Sequence, residues 1–323
     1  MNSRSSRIAL SMLVSVALLA LSPASHVSAH ASRARAPGVE RFAGGWAVPV
    51  QASAPRWYTR AYSQKVIAAG TRGARLPAGA HVPAAVGLVT PGIRPGQWLV
   101  TITTRPIGFV WCSANFIFVK SGTYGIGTAG HCAAKDALGQ FPDVTAYVVP
   151  PPGKGLPGFY HIGKFVLSHN NGIGDDFAMI QIYSQYQSWV NPTMPVWGGP
   201  IGVYGSNLPT VVEHFGHGVV VGTGGTPRAG VAPIMTARSG TAFAWYGAGT
   251  PGDSGSGVKA VTEQAVGDFT HIVIFDGRIS CNAKGCSASP GEILPGMLAG
   301  TRMTKILQIA TGWSLVNGSI LPL

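Results

Sequence analysis

Of the nine histidines in the chain, one is set among small residues: His131 stands in the run Gly127-Thr128-Ala129-Gly130-His131-Cys132. A general base has to stay within about 3 Å of the proton it removes. Small neighbours let the backbone pack closely there, and the adjoining cysteine offers a covalent pin. A second run, Pro251-Gly252-Asp253-Ser254-Gly255-Ser256-Gly257, puts a serine in a glycine-rich turn. Such a turn presents the Ser254 hydroxyl and aims the N–H groups of Gly252 and Ser254 at one point, forming an oxyanion hole. A donor of that kind is typically worth about 3 to 4 kcal/mol of transition-state stabilisation. Gly-Asp-Ser-Gly is weak evidence by itself, because loops often hold such turns. A serine nucleophile and its base also need a carboxylate that fixes the imidazole. Asp175 and Asp176 stand directly before the apolar run Phe177-Ala178-Met179-Ile180. If that run is a strand, Asp176 begins it and is the better fixed, while Asp175 suits a solvated turn and remains the alternative.

The elements that must hold these residues read as strands. β-rich runs occur at Trp98 to Thr103, Phe116 to Val119, Val144 to Val149, Phe177 to Tyr183, Gly218 to Val221, Pro233 to Ala237, Thr241 to Tyr246 and Phe269 to Phe275, most of them separated by Gly, Pro or Asn. Many short strands without helical periods between them predict an all-β fold, a sandwich or barrels. Met303 to Ala310 is the one plausible helix, and it is short. Regular structure is expected to begin at Trp98. Residues 30–95, rich in Ala, Arg, Pro and Gly, read as a pro-segment or flexible arm.

Arg4 and Arg7 precede the apolar run Ile8 to Leu21, followed by Pro23 and small residues. That layout predicts a secretory signal peptide over residues 1–29 and an extracellular protein. The net charge of +12 is lopsided, with a balance of +11 over residues 1–105 and +1 over the remainder. A solvated basic leader and arm account for it, with a weak contact to anionic cell surfaces as the further expectation. No nucleic-acid motif is present. Four cysteines, Cys112, Cys132, Cys281 and Cys286, predict disulfides in an exported chain, and counting leaves three pairings open. Their spacing does not suit a metal site, and no cofactor is expected.

Thr128-Ala129-Gly130-His131-Cys132, then Asp176-Phe177-Ala178-Met179-Ile180, then Gly252-Asp253-Ser254-Gly255 resemble, in that order, the three active-site motifs of the chymotrypsin-like serine proteases. Cys112-Ser113-Ala114-Asn115-Phe116 resembles the bacterial, streptogrisin-like branch, and the resemblance implies a disulfide between Cys112 and Cys132. It also implies two packed six-stranded antiparallel β-barrels within residues 96–323, the first over about 98–190 and the second over about 195–310, with a short C-terminal helix. His131 and Asp176 would lie on the first barrel and Ser254 on the second. Ala248 stands where trypsin-like members carry an acid, so cleavage after Lys or Arg is not expected. Thr270, His271 and Ile272 would lie on the strand that pairs with the substrate backbone. His271 would face the primary pocket and select an acidic side chain, or else point away. Asp253 is expected to pair with an internal arginine, Arg238 being the candidate.

These readings converge on a monomeric secreted serine endopeptidase acting on protein or peptide substrates. An esterase or dedicated-target hydrolase with the same triad is one alternative. A non-catalytic binding protein on the same fold is the other.

Overall fold

The computed structural model describes residues 39–50, 52–80, 91–104, 107–133, 139–218, 225–274, 280–282, 285–287 and 294–319. The leader expected over residues 1–29 lies outside them, as does most of the expected strand from Gly218 to Val221. Among the described residues, no helix is long and apolar enough to cross a membrane.

Strands dominate. In chain order they are β1 (Glu40–Phe42), β2 (Gly45–Pro49), β3 (Ala52–Ser53), β4 (Trp98–Thr104), β5 (Ile107–Ser113), β6 (Ile117–Lys120) and β7 (Thr123–Thr128). Next come β8 (Asp143–Val148), β9 (Gly158–Asn170), β10 (Asp176–Ile182), β11 (Thr210–Gly216), β12 (Thr226–Thr236), β13 (Ala242–Gly249) and β14 (Gly257–Ala260). The last are β15 (Ala265–Asp268), β16 (His271–Ile274), β17 (Ser280–Asn282), β18 (Gly285–Ser287), β19 (Leu294–Thr301) and β20 (Ser314–Leu315). The C-terminal helix spans Met303–Ile309.

Two nine-stranded sheets carry the fold. One runs β20-β6-β7-β10-β9-β8-β4-β5-β3 and the other β1-β2-β16-β19-β13-β12-β11-β14-β15, all with antiparallel pairing. Each sheet has its own apolar core. Leu99, Ile126, Val144, Ile162, Phe165 and Ile180 fill the first, and Val212, Phe243, Trp245, Val258, Phe269 and Leu298 the second. A third cluster, with Phe116, Phe177, Phe215 and Met303, draws on both sheets and the C-terminal helix. This is the two-barrel, all-β arrangement that the resemblance implies. Each sheet exceeds six strands partly because residues outside the expected barrels add to it: β1, β2 and β3 come from the N-terminal arm and β20 from the C-terminal tail.

The arm is where expectation and structure differ. Among the described residues, regular structure is already present at Glu40, well ahead of Trp98. Ala43 and Gly44 take φ of 47° and 86°, so that β1 and β2 close into a hairpin whose tight turn needs left-handed backbone. A helix follows at Arg60–Ala69, capped by Thr59, whose side chain accepts from the Tyr62 N–H. Its Tyr62 and Val66 pack with Tyr58, Trp98 and Phe159 in one cluster. Composition hid these elements because each is short and finds its apolar partners on distant strands.

Candidate active site

His131 lies in a short 3-10 turn, Gly130–Cys132, that follows β7. A Cβ on Gly130 would stand 1.6 Å from the His169 carbonyl oxygen, so only glycine lets this turn sit against β9. Cys132 is bonded to Cys112 on β5, which pins the turn from its other side. Cys112, Cys132 and His131 stand close together, but the two sulfurs are bonded to each other and offer no thiolate to a metal. Backbone register sets Cys281 opposite Cys286 in the β17–β18 pair, while their side chains lie outside the described residues.

Asp176 opens β10 and is fully buried. Its Oδ1 accepts from the His131 backbone N–H at 2.9 Å, and its Oδ2 lies 2.7 Å from His131 Nδ1. His131 Nε2 in turn lies 2.8 Å from Ser254 Oγ. An ionised carboxylate only accepts, so the imidazole proton belongs on Nδ1 and Nε2 is left to accept from the hydroxyl. Burial pushes the Asp176 carboxyl up, but the charge and hydrogen bonds of His131, helped by His271, outweigh it and hold the group below the ordinary carboxylate range. Thr301 fixes the strand end, its Oγ1 accepting from the Asp176 N–H at 3.2 Å. Asp175 points elsewhere, toward His169, Asn171 and Lys305. Of the two candidate acids, Asp176 is the one joined to His131.

The Ser254 turn is fixed from below by Asp253, which is fully buried and forms an ion pair with Arg228 of β12. Asp253 Oδ1 also accepts from the Gly218 N–H at 2.9 Å, and Oδ2 from the Thr250 N–H at 2.8 Å. Arg238 is not the partner: it pairs with Glu40 of the arm. Arg228 sits on the strand beneath the turn, a relation set by strand pairing and invisible to sequence spacing. From the first sheet, Ser113 Oγ donates to the Gly252 carbonyl at 2.9 Å, and the Ser113 N–H donates to the Ser254 carbonyl at 2.8 Å. Gly252 and Gly255 take φ of 95° and 88°. A Cβ on Gly255 would also meet Thr128 Oγ1 at 2.1 Å. Both positions require glycine.

The Gly252 N–H, the expected oxyanion donor, donates to the Val50 carbonyl at 2.8 Å. Val50 follows β2, and its own N–H donates to the Thr270 carbonyl at 3.2 Å. The expected substrate-pairing strand, β16, is paired antiparallel with β2, His271 opposite Pro49 and Ile272 opposite Val48. Val50 is 3% exposed and belongs to the apolar cluster of Trp245, Phe269, Ile272 and Leu298. Ala248 lies on β13, and its carbonyl oxygen is 3.2 Å from His214 Nε2. His271 Nδ1 lies 2.8 Å from Thr270 Oγ1 and 3.8 Å from Asp176 Oδ2, and its ring is 6.1 Å from that of His131. The Nδ1 side of the ring faces the His131–Asp176 pair.

Three buried ionisable groups surround the site. Burial, reinforced by Arg228, lowers His214 to about 4. Burial with the charge of Arg94 does the same to His217. Burial, with the charge of Asp176 nearby, raises Asp268 well above the ordinary value.

No protein-family model matches the sequence, and no curated protein matches it. Among solved structures, the chain is similar to protease A of Thermobifida fusca at 17% identity, covering 70% of this chain and 99% of the other with a TM-score of 0.42. Cellulomonas bogoriensis chymotrypsin is similar at 17% identity, 69% and 99% coverage and a TM-score of 0.39. A glutamic acid specific serine protease, described as using a histidine triad in substrate binding, is similar at 16% identity, 69% and 100% coverage and a TM-score of 0.43.

Proposed function

We propose that the chain is a secreted serine endopeptidase with Ser254 as nucleophile, His131 as general base and acid, and Asp176 as the group that orients and charges the imidazole. The observation that carries this reading is the unbroken hydrogen-bonded chain from Asp176 Oδ2 through both nitrogens of His131 to Ser254 Oγ. In the proposed reaction, Nε2 takes the Ser254 proton as Oγ attacks a peptide carbonyl carbon. The N–H groups of Gly252 and Ser254 receive the developing oxyanion. The imidazolium, balanced by the buried Asp176 carboxylate, gives the proton to the leaving amine. Water then enters by the same steps in reverse and frees the acid. The apolar cluster beside β16 favours a small or aliphatic side chain on the acyl side of the cleaved bond, and Ala248 offers nothing to bind Lys or Arg. Export is supported by the leader-like N-terminus and by the Cys112–Cys132 disulfide, which suits an oxidising compartment.

The test is covalent labelling by a fluorophosphonate, which requires an activated serine. Labelling of the wild type that disappears in Ser254→Ala supports the assignment. Labelling that persists in Ser254→Ala overturns it. Asp176→Asn should keep the fold and lower kcat on a peptide substrate by about 10³ to 10⁴, through loss of the correct tautomer.

A further inference from the structure

We propose that the bond after Val50 is a self-cleavage site: the arm of this chain lies through its own active site as an intramolecular substrate. The inference rests on the serine-peptidase reading above.

A substrate of such an enzyme must be extended, bonded by its backbone on both sides of the scissile bond, and must present its carbonyl oxygen to the oxyanion donors. The arm meets each requirement. Upstream of the bond, β2 is added to the edge of the second sheet in register with β16. At the bond, the Val50 N–H reaches the Thr270 carbonyl, and the Val50 carbonyl accepts from Gly252. Downstream, β3 pairs with β5 of the first sheet, Ala52 opposite Trp111 and Ser53 opposite Val110, and the Ala54 N–H donates to the Phe109 carbonyl at 2.9 Å. The chain thus passes from one sheet to the other at the turn that carries Ser254. The Val50 side chain supplies the apolar group that the pocket cluster accommodates. Ser254 is fully buried in this state.

The step balances as ordinary peptide hydrolysis. Ser254 Oγ adds to the Val50 carbonyl carbon and His131 receives its proton. The bond to the nitrogen of Gln51 breaks as that nitrogen takes the proton from His131. Water then cleaves the Val50 ester, leaving a carboxylate on Val50 and an amine on Gln51. Both ends keep their anchors. Upstream, Glu40 accepts from the Ile173 N–H at 2.5 Å and pairs with Arg238. Downstream, Tyr58 and Tyr62 are packed under the first sheet. The two pieces should therefore stay together until denatured.

The experiment is denaturing intact mass and N-terminal sequencing of the purified full chain over time, for wild type, Ser254→Ala and Val50→Asp, each with fluorophosphonate labelling in parallel. Wild type should yield a species beginning at Gln51, at a first-order rate independent of protein concentration, and Ser254→Ala should not. Val50→Asp, which puts a charge into an apolar pocket, should slow cleavage at this bond by about 100-fold or more while labelling persists. A wild type that labels at Ser254 but stays intact after Val50, or is cut only elsewhere, overturns the self-cleavage proposal and leaves the peptidase reading standing. A rate proportional to concentration overturns the intramolecular route. A chain neither cut nor labelled overturns both.

Discussion

Replacing Arg228 by Met isolates what holds the Ser254 turn. Asp253 would keep its bonds from the Gly218 and Thr250 N–H groups but lose its only described ion-pair partner while remaining fully buried. Breaking a buried pair from one side typically costs about 3 to 5 kcal/mol, because the remaining charge is uncompensated. With an unfolding entropy of about 2.1 cal/mol/K per residue, the folded unit from Arg35 to Leu323 loses on the order of 0.6 kcal/mol for each degree. The expected drop in Tm is therefore about 5 to 8 °C. Asp253→Asn alone strands Arg228 and should cost a similar amount. The double variant Arg228→Met with Asp253→Asn leaves no buried charge and should be more stable than the sum of the single losses by at least about 2 kcal/mol. Calorimetric unfolding of the four proteins reads the cycle, and the labelling rate at Ser254 reports the turn. Additive losses, or a fall of less than about 2 °C for Arg228→Met, would refute the view that this pair organises the turn.

Other variants test the supports one at a time. Gly130→Ala drives a Cβ into the His169 carbonyl and should cost about 3 kcal/mol or more, with loss of Ser254 labelling; an unaltered melting curve would contradict the close approach. Cys112→Ala with Cys132→Ala opens a disulfide with a sequence separation of 20, for which about 3 kcal/mol is expected in denaturant unfolding. Lowering pH should destabilise the fold through His214 and His217. Because their folded pKa is depressed to about 4, their contribution is complete above about 6.5 and is lost as pH falls through 4, by roughly 2 kcal/mol each at pH 5. Asp268 works in the opposite sense. Its raised pKa stabilises most below the ordinary carboxylate value, and that contribution is lost as pH rises, so Asp268→Asn should raise Tm at pH 8 more than at pH 4.

What was legible in the sequence was what local spacing encodes. The glycines around His131 and Ser254 mark backbone approaches that admit no side chain, and the acid at the head of an apolar strand marks Asp176. The all-β class followed from short β-rich runs, and the C-terminal helix from its own pattern. Partnerships across strands were not legible. Arg228, Ser113 and Thr301 support the site from three different strands, and nothing in their local sequence sets them apart from other residues of their type. Arg238, nearer to Asp253 in the chain, was the wrong choice because pairing follows sheet order. His271 was placed on the right strand, but which way its side chain points depends on register, and register is fixed only by neighbouring strands. The short strands of the arm were not legible for a related reason: a two- or three-residue strand has no period of its own, and only the sheet edge that receives it makes it a strand.

The antiparallel pair of β2 with β16 also bears on how the chain comes to be folded. Ala47 pairs with Val273, and Leu315 pairs with Phe118, so both sheets take edge strands from opposite ends of the sequence. Closing loops of that length precedes any reward from the contacts they bring, and topologies dominated by distant pairings fold slowly. β2 has no docking site until β16 has joined β19, whereas β3 needs only β5. β2 can therefore take its place beside the Ser254 turn only after the β16–β19 pair, which lies more than 200 residues further along the chain, has formed.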